Sequence, residues 1–159
     1  MKVKIIHFIS LFLLLLVTGV FWGTWFTLTR SLGEFSAAEF IHIGKVIIAN
    51  VAVPMSIIMP LCILFMFLSM LFYSEKKSSG FYLNVIALAL IIITLLVTLL
   101  ILVPIDNQIK QWAATVIPAN WEYLRTRWDF YHTVRTFTSL ASFACFALSI
   151  IKYKKEIKR

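Results

Sequence analysis

Four long apolar blocks constrain this chain more than any other feature. They cover about residues 5–28, 46–73, 81–103 and 133–151, and the first carries no charged residue. A membrane-spanning helix needs about 20 mostly apolar residues, because each adds ~1.5 Å across a hydrocarbon core of about 30 Å. The expected fold is therefore an all-α integral membrane four-helix bundle, a single domain over residues 1–159. Composition agrees: 61% of residues are hydrophobic and 14% charged, against about 45–50% and about 25% in soluble domains. A soluble enzyme, a disordered tail and a disulfide-stapled module are excluded. Cys62 and Cys145 lie inside apolar blocks without paired spacing and read as buried hydrophobes. The first block is too long for a signal-peptide core and leads into Trp22 and Trp25 instead of a small-residue cleavage site, so it reads as a retained helix.

The net charge of +8 does not mark a nucleic-acid binder. Its lysines and arginines cluster beside apolar blocks, and base-reading motifs are absent. Lys2, Lys4, Lys76, Lys77, Lys152, Lys154, Lys155, Lys158 and Arg159 fall on one side of the predicted membrane. Arg30, Lys45, Lys110, Arg125, Arg127 and Arg135 fall on the other, across longer connections. The positive-inside rule then places both termini in the cytoplasm. The cytoplasmic turn, Ser74–Gly80, is too short to hold a site. The predicted outer connections run over Arg30–Lys45 and, between the third and fourth helices, as a long ordered loop over Pro104–Arg135, so any site belongs at the outer face.

The fourth helix predicts most about that site. Pro118 stops what precedes it, Asn120 is a candidate N-cap, and no breaker follows, so a helix over Trp121–Ile151 is expected. Steps of four and three place Trp121, Arg125, Trp128, His132, Arg135, Ser139 and Ser142 on one stripe about 100° wide. The opposite face reads Tyr123, Arg127, Phe130, Val134, Phe137, Ala141, Ala144 and Leu148. A polar stripe descending into an apolar span should face the bundle interior, because lipid cannot satisfy it. The alternative is an interfacial belt of tryptophans and snorkelling arginines with nothing bound. Asn50, Pro54 and Pro60 in the second block, with Pro104 closing the third, predict broken backbone around one outer region. Gly19, Gly23 and Thr27 form a small-residue face on the first helix, read as intramolecular packing with homo-oligomerisation as the other use. Arg30 continues that face and is expected to pair with Asp106, Glu122 or Asp129.

Catalytic motifs are few. His42 and His132, with Glu34, Glu39 or Asp106, are the residues a mixed nitrogen–oxygen metal site would use. H-E-x-x-H and paired-cysteine spacings are absent, so no metal site is predicted and no cofactor is required. His7 lies near the opposite end and reads as isolated. No G-x-S-x-G elbow, phosphate loop or dinucleotide fingerprint is present, which leaves hydrolase and nucleotide chemistry unsupported.

The run V-P-I-D-N-Q-I-K-Q-W, followed by W-E-Y-L-R-T-R-W-D-F-Y-H-T-V-R-T, resembles the anthrone-oxygenase-like family of small four-helix membrane proteins. The resemblance rests on Pro104, Asn107, Arg127, Trp128, His132, Arg135 and Thr136, and on four segments of similar length. Asp106 departs from it, since many members carry Asn at that place, as does T-L-T-R-S-L where some members carry a Glu-His pair. What the resemblance implies is a multi-pass protein of the bacterial plasma membrane; fungal members oxidise anthrones to anthraquinones with molecular oxygen. On this reading a Trp/His/Arg pocket binds or oxidises a small aromatic or quinone-like molecule. His132 serves as base, with Arg135, Arg127 and Arg125 stabilising an anionic form. Trp128, Trp121, Asn107, Asp106 and Arg30 complete the expected binding set. The alternative is a membrane scaffold or accessory subunit, which would leave those side chains mutually satisfied around no void.

Overall fold

The computed structural model describes residues 2–113 and 117–156. Within them lie α1 (Lys2–Thr27), a 3-10 segment (Thr29–Glu34), α2 (Ala37–Leu71), α3 (Ser79–Val97), a π-helical segment (Thr98–Leu102), α4 (Val103–Gln111) and α5 (Trp121–Glu156). The third, π and fourth pieces form one rod. Four apolar rods, at residues 3–34, 37–71, 79–111 and 121–153, are each long enough to cross a membrane. The protein is an all-helical, multi-pass integral membrane protein. Of the basic terminal clusters, Lys158 and Arg159 lie outside the described residues, as do the side chains of Lys2, Lys154 and Lys155.

A ring cluster at one end and an arginine clamp at the other mark the antiparallel arrangement. His7 near the start of α1 packs edge-on to Tyr153 near the end of α5, at 4.8 Å between centroids, and Tyr153 meets Tyr73 at 5.0 Å. Both termini thus share one end of the bundle, called here the terminal end. At the far end, Arg125 of α5 reaches the carbonyls of Leu32 and Phe35 beyond α1. The side chains left on the outside are those of a lipid-facing surface: Phe8, Val53 and Leu100 are 69%, 67% and 70% exposed. A surface carrying so many large exposed apolar side chains suits lipid better than water.

Packing divides into two cores. One, around Leu14, Val17, Phe21, Met59, Met66, Ile91 and Phe146, runs through the middle of the bundle toward the terminal end. The other, around Leu32, Phe40, Ile41, Leu102, Ile105, Ile109, Leu124 and Trp128, caps the far end. Several hydroxyls and amides that enter the apolar interior bond across helices, while Asn84 Oδ1 and Ser149 Oγ take no hydrogen bond among the described residues. Asn84 Nδ2 donates to Ser69 Oγ at 2.8 Å, Ser142 Oγ to the Ala87 carbonyl at 2.7 Å, and Thr136 Oγ1 to the Phe21 carbonyl at 3.4 Å. Such bonds average about 0.6 kcal/mol in membrane bundles.

Three sequence expectations change. The second helix starts at Ala37, not Val46, because Ser36 and Glu39 form a capping box: the Ser36 amide donates to Glu39 Oε2 at 2.9 Å and the Glu39 amide to Ser36 Oγ at 3.4 Å. Pro104 does not close the third helix. An α-turn there would lack the proline donor and press the ring on the carbonyl four residues back. The chain widens instead, the Val103 amide bonding the Thr98 carbonyl five residues earlier, and the helix resumes to Gln111. The connection counted from Pro104 to Arg135 therefore shrinks to the stretch between Gln111 and Trp121. Pro54 and Pro60 likewise lie inside a continuous α2.

The glycines also fall differently from the small-residue reading. A Cβ placed on Gly19 or Gly23 would meet nothing within 4 Å, so that face is open on the bundle exterior and takes no part in internal packing. Gly80 is the tight position, where a Cβ would collide with the Tyr73 hydroxyl and lie 3.3 Å from Lys152 Cβ. We therefore expect Gly80→Ala to destabilise the detergent-purified protein by about 1–3 kcal/mol, the usual cost of overpacking. Gly19→Ala and Gly23→Ala should leave the thermal midpoint unchanged; a Gly80→Ala melt matching theirs would contradict this packing.

Candidate functional site

The stripe on α5 turns inward. Trp128, His132, Ser139 and Ser142 are buried, while Tyr123, Arg127, Phe130, Phe137 and Leu148 on the opposite face are exposed. Trp121, Arg125 and Arg135 are half-buried. Helical periodicity alone produces this division, since residues three and four apart share a face.

His132 is fully buried and anchors a connected array. Its ring stacks on Trp128 at 4.7 Å between centroids and 24° between planes. Its Nδ1 accepts the Nε–H of Arg135 at 2.9 Å. A neutral imidazole that accepts at Nδ1 carries its proton on Nε2, and that atom is buried without a hydrogen-bond partner among the described residues. The Arg135 guanidinium lies over the Phe21 ring at 4.5 Å, a favourable placement for a cation in an apolar setting. Trp128 also donates its indole N–H to Asp106 Oδ1 at 3.0 Å. Thr136, one turn below, shares its one hydroxyl proton between the His132 carbonyl at 2.7 Å and the Phe21 carbonyl at 3.4 Å.

This array faces a cavity of about 390 Å³ between the two cores. Val20, Phe21 and Thr24 of α1 form one wall, and Ile47 to Pro60 of α2 another. Leu95 to Val103, spanning the end of α3 and the π segment, form a third. Most of the lining is apolar. The charged exceptions are Asp106, Lys110 and Arg135, with Asn107 beside them. Two devices shape the space. The π turn sets the register of Asp106, Asn107 and Lys110, which all project from α4 into it. Pro60 withdraws the amide that the Ser56 carbonyl would otherwise bond within the helix, and both residues line the cavity.

The two central charges keep bonding capacity in reserve. Apart from the Trp128 bond to Oδ1, Asp106 takes no hydrogen bond among the described residues, and Arg135 donates only from Nε. Pockets of about 300–1,000 Å³ with apolar walls and a few convergent polar groups are the usual form of a small-molecule site.

Not every expected residue reaches this place. His132 stands behind Arg135 and is absent from the cavity wall. Arg127 is exposed on the opposite face, over the Tyr131 ring at 5.9 Å; its position on the helix, not its charge, keeps it out. Arg125 ties α5 to the 3-10 segment through Leu32 and Phe35, with its guanidinium over Trp121 at 4.7 Å. Arg30 and Asp129 line one open groove, yet Arg30 lies over the Trp25 and Phe26 rings at 6.0 and 5.7 Å, where an acidic partner was expected. His42 is exposed on α2. No group of three His, Cys, Asp or Glu side chains is placed to hold a metal among the described residues.

A second polar cluster escaped the sequence reading. His7 is buried between Phe146, Tyr73 and Tyr153, with Nε2 unpartnered among the described residues. Its signal was a histidine near the start of an apolar span facing two tyrosines distant in sequence. Only the tertiary fold joins them.

A family model described as anthrone oxygenase matches residues 42–145. That stretch contains Asp106, Asn107, Lys110, Trp128, His132 and Arg135, and it leaves out the α1 wall. No curated protein and no solved structure matches the chain.

The roles of the arginines can be separated by stability. Arg125→Ala should cost about 1–3 kcal/mol, because two carbonyls lose a charged donor, whereas Arg127→Ala should stay within about 0.5 kcal/mol as a surface change. Thermal melts of the two variants decide it, and equal losses would refute the assignment.

Proposed function

From the premise that this chain belongs to the anthrone oxygenase family, we propose that its cavity binds a small fused-ring aromatic ketone and promotes its oxidation by molecular oxygen. The observation that carries this reading is the pairing of an apolar cavity of about 390 Å³ with two opposite charges whose hydrogen bonds are not all spent. A scaffold would have closed the void and satisfied those groups internally. Unpaired capacity of this kind is costly in hydrocarbon, so it favours a site kept for an occupant.

The chemistry follows from the substrate class. An anthrone carries an acidic methylene between two rings and a carbonyl opposite. Loss of one methylene proton gives an enolate whose charge rests on that carbonyl oxygen. Arg135 supports this anion with its free terminal N–H groups, held in place by His132 at Nε and by the Phe21 ring. A fixed donor aimed at developing charge lowers the barrier to forming it. The enolate then gives electrons to dioxygen, a C–O bond forms at the ring carbon, and loss of water leaves the quinone. Substrate carbon is oxidised and oxygen reduced, so one anthrone and one dioxygen yield one anthraquinone and one water. Trp128 and the α2 wall supply flat and apolar surfaces for the rings.

Lipid nanodiscs carrying the protein, mixed with a hydroxyanthrone in air, should form the anthraquinone faster than empty discs, as read by absorbance. Arg135→Met should lower turnover about 10²–10³-fold, the usual effect of removing an oxyanion donor. Absence of both a ligand-induced thermal shift and turnover would overturn the proposal.

A further inference from the structure

The cavity wall holds three side chains that ionise: Asp106, Lys110 and Arg135. Lysine as an ammonium and arginine as a guanidinium only donate protons, whereas an ionised carboxylate only accepts. The wall therefore contains one group able to take a proton from carbon. His132 is no competitor, because its Nδ1 is occupied by Arg135 and its Nε2 is buried away from the cavity wall.

Geometry favours the same carboxylate. Trp128 fixes Asp106 Oδ1 at 3.0 Å, and Oδ2 takes no hydrogen bond among the described residues. The chain of contacts from Asp106 through Trp128 and His132 to Arg135 holds the carboxylate and the guanidinium in one fixed frame around the cavity. A carbon acid lying between them would present its C–H to one and its carbonyl oxygen to the other. An asparagine at position 106 would accept the same Trp128 bond but could not take the proton.

We propose that Asp106 is the catalytic base that removes the methylene proton of a bound anthrone-type carbon acid. The C–H bond breaks, its electron pair moves through the ring onto the carbonyl oxygen beside Arg135, and the proton forms an O–H bond at Asp106 Oδ2. The step needs no oxidant and reverses when the proton returns to carbon. It rests on the reading that the cavity binds this substrate class.

Reversibility gives a test independent of oxidation. Under argon in deuterium oxide, nanodiscs with the wild-type protein should speed deuterium entry into the methylene of a hydroxyanthrone, followed by proton NMR. D106N should slow this exchange about 10²-fold or more, the usual contribution of a general base, while the anthrone still co-elutes with the variant. Should D106N fail to purify, Asp106→Glu and Asp106→Gln carry the same contrast, with exchange retained by the first and lost by the second. Exchange at the wild-type rate in D106N or Asp106→Gln, with the ligand bound, overturns the role of Asp106 and leaves the binding site standing. No ligand bound to the wild type overturns the site itself, and the inference with it.

Discussion

In the hydrocarbon layer a polar group must find its partner within the protein, and this constraint organises the whole molecule. It forces the backbone into helices, and it turns Ser142, Thr136 and Asn84 toward neighbouring helices. It leaves Phe8, Val53 and Leu100 to face lipid. The same constraint makes exceptions informative. Where Ser142 meets the Ala87 carbonyl, or the Asn84 amide nitrogen meets Ser69, the donor serves helix packing. Where Arg135 and Asp106 border a cavity with capacity left over, packing does not explain them.

A proline and a π turn border the cavity. Helices without breaks close on one another, as α3 and α5 do around Ala87 and Ser142. Pro60 in α2 and the π turn before Pro104 face each other across the space instead. The π turn accommodates the missing Pro104 donor, and Pro60 leaves the Ser56 carbonyl without its helical amide beside the same space. The far-end core packs Leu32, Phe40 and Ile109 at that end of the bundle, where Arg125 ties α5 to the 3-10 segment.

Much of this was legible in the sequence, for reasons that can be named. Hydropathy located the four rods because a membrane leaves few alternatives, and the seven-residue stripe on the last helix pointed inward because its period is that of a helix. The family resemblance, too, rested on residues that the family model spans. The course of the chain through Pro104 was not legible, since proline usually ends a helix and only the π turn lets it continue. The early start of α2 was written in Ser36 and Glu39 but outweighed by the polar look of that stretch. The helical period already set Arg127 on the face opposite His132, whereas only the Nδ1 bond from Arg135 shows His132 standing behind that arginine. The His7 cluster needed α1, α5 and the turn after α2 to assemble.

The account stands or falls on what occupies the space between α2 and the third rod. The direct measurement is a structure of the protein in nanodiscs with a bound anthraquinone, the oxidised and therefore inert counterpart of the proposed substrate. The account predicts the rings within that cavity, one carbonyl oxygen within hydrogen-bond reach of the Arg135 guanidinium and the opposite ring position near Asp106. A cavity filled by side chains or an acyl chain, with the quinone elsewhere, would contradict it.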